Sequence, residues 1–545
     1  MPDQNTPVAV PAEDLSLAAD KPQASAASGG WWQAVTDWPW VALIPAVVTF
    51  VVMLYQITRP SFWQDEASTL ADTHRSLPQL FALLGHIDAV HAGYYVFMWF
   101  VIKVAGTSEL AVRFPSAVAM AVAAGVIALL GKRLVSGTAG LAAGLVFAAI
   151  PEVSWYGQNA RDYALVTAVA TIATYLFVRA VQALPDGRRD TVDRWMIGYG
   201  VSVAVLGLLN LFALLLIGAH GLVLVALARR DAAAKAAAGE SAAGESPAGG
   251  TVRLLARDWL IAAVAAVVVC SPVLYYGWKE RGQVAWIKKP NLHDLAGVEQ
   301  LIGPGTAFAA ALIVVAAGIV LSVTRGRTRL RADWPQQLVA VGVSWLVLPP
   351  VVLLAVSVAH PVYLFRYIVF CIPAAALIVG TALAALGRAA GTVALIVIVA
   401  LALPAQATVR GPEGHGDNLR AVSQYLGDHA HRGESVLFAS FYERKIEVAY
   451  PAGFRGLRDI ALGESAIAAA EPVALNAPPS VISARLATVR RVWLVGRLKA
   501  AEPAAPGSSA TAKPVLPLLQ KLGFRLASTK AISNYRVSLY VRGTS

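Results

Sequence analysis

Apolar residues follow one another in long runs that are separated by short polar loops. Each run is close to the roughly 20 residues that a helix needs to cross a hydrocarbon core of about 30 Å. Eleven runs predict eleven transmembrane helices, over Trp40–Ile57, Arg113–Leu134, Thr138–Ser154, Tyr163–Val181, Met196–Leu209, Phe212–Ala228, Trp259–Tyr276, Thr306–Val323, Leu338–Val358, Tyr367–Leu386 and Thr392–Pro404. The fifth and sixth runs are separated only around Asn210. The pattern predicts an α-helical polytopic membrane protein.

The two ends of the chain differ from this middle part. Residues 1–35 are rich in Ala, Pro, Ser and Asp and predict a disordered cytoplasmic tail, followed by a transmembrane domain over 36–405. Residues 406–545 contain an amphipathic helix, "DNLRAVSQYLGDHA", and strands such as "ESVLFAS" and "RRVWLVG". A helix and two further strands are predicted within "PVLPLLQKLGFRLASTKAISNYRVSLYVR". This region predicts a small α/β domain outside the membrane.

Charge decides the orientation and excludes one class of partner. The chain of 545 residues is 57% hydrophobic, only 14% charged, and has a formal net charge of +12. Its Lys and Arg residues, such as Lys132 and Arg133, concentrate in alternate short loops, the pattern of cytoplasmic loops. The amino terminus is therefore predicted to be cytoplasmic and the carboxyl-terminal domain extracytoplasmic. The basic balance reflects membrane topology, so nucleic-acid binding is not predicted.

The outer loops contain the candidate chemistry. Two carboxylates, Asp65 and Glu66, follow the first apolar run directly, and a long aromatic segment comes after them. Cations and aromatic side chains lie in the later outer loops and could converge with the carboxylates at the membrane surface. The candidates are Arg161, Arg366, His91, Tyr94, Tyr363, Trp286 and Lys288. Simpler interpretations are a helix cap for Asp65, interfacial anchors for the aromatic residues, and lipid head-group contacts for Lys288.

Four motifs occur in one order along the chain: "WQDEAS", "DAVHAGYYVFMW" with "GTSELAVRFPSAV", "YGQNARDYAL" and "HPVYLFRYIVFCIPA". In these motifs the chain resembles the GT-C fold membrane glycosyltransferases that use polyprenyl-phosphate sugars. The resemblance is to the actinobacterial relatives of the protein mannosyltransferases and of the lipid A aminoarabinose transferase, glycosyltransferase family 39-like. It covers most of residues 40–386. The carboxyl-terminal domain carries no usable motif.

The resemblance implies a sugar donor whose isoprenoid tail stays in the bilayer. It implies Asp65 as the general base for the acceptor hydroxyl, with Glu66 binding acceptor or orienting Asp65. Arg366 is expected to hold the donor phosphate, and Arg161 to contact the phosphate or the sugar. The other candidates, His91, Tyr94, Tyr363, Trp286 and Lys288, are expected to bind the phosphate or sugar of the donor. Mannose is favoured, with arabinose second, and the acceptor could be a protein, a lipid glycan or a wall polysaccharide. Neither a P-loop nor a GxGxxG after a strand is present, as expected where no nucleotide binds.

No cofactor is predicted. Asp65, Glu66, His91 and Asp162 could supply ligands to a divalent metal, but the relatives that act on simple polyprenyl phosphosugars generally need none. Two other functions remain open. A transporter or flippase of a polyprenyl-linked sugar would be expected to show internal repeats or charges deep in its spans, and these spans are almost uncharged. A non-catalytic scaffold for envelope assembly does not explain the acidic pair.

Overall fold

The protein is described by a computed structural model over residues 35–37, 39–184, 189–237, 247–291, 300–301, 305–324, 334–498 and 515–543. The predicted disordered tail, residues 1–35, lies outside the described residues except for Val35. The helices before the carboxyl-terminal domain are α1 (Trp40–Leu54), α2 (Gln64–Thr73), α3 (Leu77–Leu84), α4 (Ala92–Ala105), α5 (Glu109–Leu134), α6 (Gly137–Ala149), α7 (Pro151–Gly157), α8 (Tyr163–Ala183), α9 (Arg189–Leu209), α10 (Leu215–Ala237), α11 (Pro247–Lys279), α12 (Gly305–Thr324), α13 (Trp334–Ala359), α14 (Ile372–Ala385) and α15 (Arg388–Val409).

Every predicted span corresponds to a helix or a helix pair. Within the described residues, eight helices are long and apolar enough to cross a bilayer, and the bent pair α6–α7 would make a ninth. Helix α1 and the apolar part of α12, Gly305–Leu321, are shorter. The class of polytopic helical membrane protein is confirmed, whereas helix length does not confirm the count of eleven.

The third predicted span is not one straight helix. Helices α6 and α7 meet at 66°, with Ile150 between them in an extended conformation at φ −65° and ψ 123°. A residue that precedes proline avoids the helical region, and Pro151 has no N–H to continue the helix. The Gln406 side chain donates a hydrogen bond of 2.9 Å to the carbonyl of Ala149 at the break. The span predicted over Thr138–Ser154 therefore corresponds to a helix pair that is bent at Ile150.

Glycine residues let the backbones of the central helices come into direct contact. A Cβ at Gly140 of α6 would lie 2.1 Å from the Ala128 carbonyl oxygen of α5, and one at Gly380 of α14 would lie 2.3 Å from the Ala143 nitrogen. Neither position has room for a side chain. Helix α6 is thus held between α5 and α14 by the close packing that membrane helices commonly use.

The turn expected around Asn210 is confirmed. Helix α9 ends at Leu209, and the Asn210 side chain accepts a hydrogen bond of 3.0 Å from the Phe212 backbone. An asparagine in this position satisfies a backbone N–H that the interrupted helix leaves free. A short 3₁₀ turn, Leu211–Leu214, then leads into α10.

The carboxyl-terminal domain has the predicted α/β composition. Its helices are α16 (Leu419–His429), α17 (Lys445–Ala449), α18 (Pro479–Ala487) and α19 (Val515–Lys521), and its strands are β1 (Ser435–Phe438), β2 (Arg458–Asp459), β3 (Leu462–Glu464), β4 (Leu475–Asn476), β5 (Arg491–Arg497), β6 (Phe524–Ile532) and β7 (Tyr535–Arg542). Five strands form one sheet in the order β2-β1-β5-β7-β6, in which β1 is parallel to β2 and β5, and β7 is antiparallel to its neighbours. Helix α15 continues to Val409, past the predicted boundary at residue 405.

Both faces of this sheet are covered. Trp493 and Val495 of β5 pack in one apolar cluster with α16, whereas Val492 and Leu494 pack in a second cluster on the other face. A strand that is apolar at consecutive positions is typical of a sheet buried on both sides. The domain is docked on the start of α5 by an ion pair of 2.7 Å between Arg420 and Glu109. This docking brings the domain against α2.

Candidate active site

Helix α2 carries Asp65 in its first turn. Trp63 is extended, Gln64 begins the helix, and both carboxylates lie where the helix dipole favours negative charge. The Asp65 side chain is 30% exposed, and its Oδ2 lies 3.4 Å from Nη1 of Arg366. Asp65 is therefore a carboxylate that a cation holds and that solvent can reach.

Glu66, by contrast, is fully buried in an ion pair. Arg113 donates from Nε to Oε1 at 2.8 Å and from Nη2 to Oε2 at 2.7 Å, and the Ala160 backbone donates to Oε1 at 2.9 Å. Burial acts to raise the pKa of Glu66, but Arg113 and the nearby His415 outweigh it and lower the pKa to about 2. The structure places Glu66 in a buried clamp between α2 and α5, so its geometry does not support the expected contact with acceptor.

The Arg113 side chain uses all the N–H groups of its guanidinium. Besides Glu66, its acceptors are the carbonyl oxygens of Ile57 at 2.7 Å, Pro60 at 2.9 Å and Ser61 at 3.2 Å. The segment that leaves α1 is thereby fixed to α5. Sequence reasoning missed this residue because one arginine at the start of an apolar run looks like an ordinary helix end.

Arg161 and Arg366 lie close to Asp65. Arg161 is only 6% exposed, and its Nη1 is 3.5 Å from the Thr69 hydroxyl. The Arg366 guanidinium lies 5.6 Å from the ring centres of both Trp286 and Tyr367. In the part of the chain that the structure describes, neither Nε–H has a hydrogen-bond partner. Two guanidinium groups with unused donors are suited to bind an anion such as a phosphate.

The charge of Arg161 is secured by its surroundings. Burial alone would lower the pKa of its guanidinium, but the hydroxyls of Tyr95 and Tyr163 and the Asp65 carboxylate raise that pKa well above its ordinary value. The adjacent Asp162 is buried and accepts a hydrogen bond of 3.3 Å from Asn210. Arg161 therefore stays cationic beside Asp65.

His91 and Tyr94 belong to the same region. Burial and the positive charges of Arg161 and Arg366 lower the pKa of His91 well below its ordinary value, so its imidazole is neutral. Tyr94 is fully buried, and neither its hydroxyl nor His91 Nδ1 has a hydrogen-bond partner among the described residues. Tyr363 is also buried. The Tyr94 hydroxyl and His91 Nδ1 are available to a ligand that enters the cluster.

The loop after α11 contains two candidates, Trp286 and Lys288, and the structure places only one of them in the site. Trp286 is 40% exposed and stacks near Arg366, so it belongs to the cluster. Lys288 is exposed and forms neither a hydrogen bond nor an ion pair with any residue that the structure describes. Only Trp286 of this pair is brought to Asp65.

A second charged group adjoins α2 farther along the helix. Asp72 is fully buried, and no described residue forms a hydrogen bond with its oxygen atoms; Arg75 Nη2 lies 4.0 Å away. Burial raises the pKa of Asp72 to about 7, although Lys445 opposes this. Lys445 comes from α17 and donates a hydrogen bond of 2.8 Å to the Ser68 hydroxyl. The carboxyl-terminal domain thus contributes a cation, which the sequence did not reveal because the domain lacks a known motif.

A metal site is not evident among the described residues. No three side chains of the His, Cys, Asp and Glu types come together there as potential ligands. Of the four residues considered as ligands, Glu66 is already bound by Arg113. The expectation of a reaction without metal stays a prediction.

Residues 92–238 match the family model described as dolichyl-phosphate-mannose-protein mannosyltransferase. No curated protein sequence matches the chain significantly. The matched segment begins at α4 and extends beyond α10, so it includes Tyr94, Arg113 and Arg161.

Solved structures match nearly the whole chain. ArnT from Cupriavidus metallidurans, in the apo state, has a TM-score of 0.58 and 13% identity over 95% of this chain and 100% of ArnT. ArnT bound to undecaprenyl phosphate gives the same four values, 0.58, 13%, 95% and 100%. Archaeal oligosaccharyltransferase AglB from Archaeoglobus fulgidus, in complex with an inhibitory peptide and a dolichol-phosphate, has a TM-score of 0.46 and 10% identity over 86% of this chain and 69% of AglB. The predicted GT-C fold is confirmed: the chain is similar in fold to ArnT, and residues 92–238 are similar to the protein mannosyltransferases.

Proposed function

We propose that the protein transfers a sugar from a polyprenyl-phosphate donor to an acceptor hydroxyl on the extracytoplasmic face of the membrane. The observation that carries this proposal is the partly exposed Asp65 carboxylate beside Arg366 and Arg161, two cations with unused N–H donors. A base next to an anion site is what transfer from a phosphosugar requires. The description of the matching family model names a donor of this kind, and ArnT was solved with undecaprenyl phosphate.

In this proposal Asp65 accepts the proton of the acceptor hydroxyl while that oxygen attacks the anomeric carbon. The bond between the anomeric carbon and the donor phosphate breaks, and its electron pair leaves with the phosphate oxygen. The product lipid is then a polyprenyl phosphate with one more negative charge than the donor. Arg161 and Arg366 stabilise that charge as it develops, because their guanidinium groups are fixed before the reaction.

The remaining cluster residues orient the sugar. Neutral His91 and the hydroxyls of Tyr94 and Tyr363 provide hydrogen bonds to it, and Trp286 provides an apolar surface beside Arg366. Lys288 meets lipid head groups or the donor only at the edge of the site, since it is exposed. Mannose is the favoured sugar and arabinose the second. The acceptor is a protein, a lipid glycan or a wall polysaccharide.

The test is transfer from a polyprenyl phosphomannose by purified Asp65→Asn protein in detergent. The amide keeps the shape of the side chain but cannot accept the proton, so the rate is expected to fall by about 10² to 10⁴. Donor binding should be largely retained. Asp428→Asn, which alters an exposed carboxylate on α16, is the control.

Two results would contradict the proposal. Activity of Asp65→Asn within a few-fold of wild type would remove Asp65 as the base. If wild-type protein forms no product with any tested pair of polyprenyl phosphosugar and acceptor, yet moves such lipids across vesicle membranes, the protein is a flippase instead.

A further inference from the structure

The backbone that leads into α2 is bonded mainly to the carboxyl-terminal part of the chain. Three of its N–H groups donate across this boundary: Ser61 to the Pro412 carbonyl at 3.0 Å, Phe62 to the Tyr450 hydroxyl at 2.9 Å, and Gln64 to Asp417 Oδ2 at 3.3 Å. These residues immediately precede Asp65. The position of the proposed base therefore depends on groups that lie more than three hundred residues later in the chain.

Asp417 has a specific part in this arrangement. The first N–H groups of a helix have no partner within the helix, and a Ser, Thr, Asp or Asn directly before it commonly accepts one of them. Before α2 this position is Trp63, whose side chain makes no capping hydrogen bond. Asp417 supplies the missing oxygen from outside, and its negative charge also suits the positive end of the helix dipole.

Asp417 is itself held by the sheet of the carboxyl-terminal domain. Arg497, at the end of β5, donates to Oδ2 at 3.0 Å, and Asn534, in the turn between β6 and β7, donates to Oδ1 at 3.2 Å. The Asp417 side chain is only 4% exposed. A rigid path of hydrogen bonds thus runs from the sheet through Asp417 to the first turn of α2.

We infer that Asp417 is a positioning residue, which fixes the first turn of α2 so that Asp65 faces Arg366 in the geometry needed for proton transfer. The inference rests on the proposed function, because it takes Asp65 as the base. Other contacts keep the domain docked when Asp417 is changed, among them the Arg420–Glu109 ion pair and the hydrogen bond from Lys445 to Ser68. Removal of Asp417 therefore alters the cap without undocking the domain.

Three full-length variants test this role. Asp417→Ala removes the cap, Asp417→Asn keeps a capping oxygen but loses the charge, and Asp459→Ala breaks a comparable ion pair, with Arg444 at 2.6 Å, elsewhere in the domain. With a polyprenyl phosphomannose donor, kcat of Asp417→Ala should fall roughly fivefold to thirtyfold, the factor expected for the loss of a helix cap. KM for the donor should stay within twofold. Asp417→Asn should retain most of kcat, and Asp459→Ala should match wild type.

Amide hydrogen exchange of residues 61–73 provides a readout that does not need activity. This segment should exchange faster in Asp417→Ala than in wild type and Asp459→Ala, since its first turn loses an acceptor. If wild type is active and Asp417→Ala keeps its kcat, the positioning role is overturned while the proposed function stands. An equal loss of kcat in Asp417→Ala and Asp459→Ala would also overturn it, since general destabilisation would then explain both. If wild type forms no product, the proposed function fails, and the exchange experiment still decides whether Asp417 caps α2.

Discussion

The buried pair of Glu66 and Arg113 allows a prediction whose size can be worked out from the structure. Glu66→Gln keeps the side-chain shape but leaves a buried guanidinium with no opposite charge. Breaking a buried ion pair in this way typically costs about 3 to 5 kcal/mol. Arg113 keeps its three backbone carbonyl acceptors, so we expect a loss near 3 kcal/mol.

The pKa of Glu66 gives a second route to the same magnitude. Its value of about 2 in the folded protein lies below the ordinary 4.5. At about 1.4 kcal/mol per pKa unit, the ionised form contributes roughly 3 kcal/mol to folding. Because the folded pKa is lowered, this contribution is complete above pH 4.5 and is lost as the pH falls towards 2.

The assay is thermal unfolding in detergent. The fluorescence of the protein that remains soluble is measured as the temperature rises. Glu66→Gln should unfold at a clearly lower temperature than wild type at pH 7, and the difference should narrow as the pH falls below 4.5. The double variant Glu66→Gln/Arg113→Gln should be less destabilised than the sum of the single variants, since it leaves no unpaired charge. Wild-type stability of Glu66→Gln together with lost transfer would refute the reasoning and make Glu66 a catalytic residue.

Three further predictions concern other parts of the molecule. Arg366→Lys should slow transfer roughly tenfold to a hundredfold. An ammonium group cannot replace a bidentate guanidinium, and a lost charge-assisted hydrogen bond costs about 1.5 to 3 kcal/mol. An unchanged rate of product formation would show that Arg366 does not bind the donor phosphate. The raised pKa of Asp72, about 7 against an ordinary 3.8, makes the folded state less stable as the pH rises from 3.8 to 7, because the unfolded chain ionises first. Thermal unfolding should therefore show Asp72→Asn gaining stability over wild type at pH 8, and this gain should shrink as the pH falls towards 4. Glu464→Cys should react with a membrane-impermeant maleimide in intact cells and Arg229→Cys should not, because the proposal places the carboxyl-terminal domain outside the cell. Both native cysteines are buried, so they should add little background labelling. The opposite labelling would place the acidic loop in the cytoplasm.

The membrane part was the more predictable half of the fold. The thickness of the bilayer sets a length that apolar runs must meet, so their positions indicated every main helix. The bend at Pro151 was missed because hydropathy does not register the loss of a backbone N–H, although the proline itself was the signal. In the carboxyl-terminal domain, alternating and continuous apolar stretches were sufficient to predict α16, β1, β5, β6 and β7.

The site was predictable only where its residues lie in loops between the apolar runs and carry a recognisable motif. Asp65, Arg161 and Arg366 were identified in that way, and the structure brings them together. Asp417 and Lys445 gave no local signal, because their importance comes from the docking of a distant domain. Nor does sequence reveal that the neighbours Asp65 and Glu66 have different environments, since burial of a side chain is a property of the packed helix.

Helix α15, which leads into the carboxyl-terminal domain, has little protein around it. Only 11% of its apolar window is buried, compared with 78% for Phe365–Ala385. Most of its surface is therefore solvated by lipid, while Gln406 and Arg410 tie its last turns to the Ala149 and Val52 carbonyls. When lipid is stripped away, we expect the end of α15 near Arg388 to loosen first while the contacts of Gln406 and Arg410 hold. Lipid composition would then affect how firmly the carboxyl-terminal domain is held next to Asp65. Transfer activity should therefore survive purification best in gentle detergents that retain annular lipid.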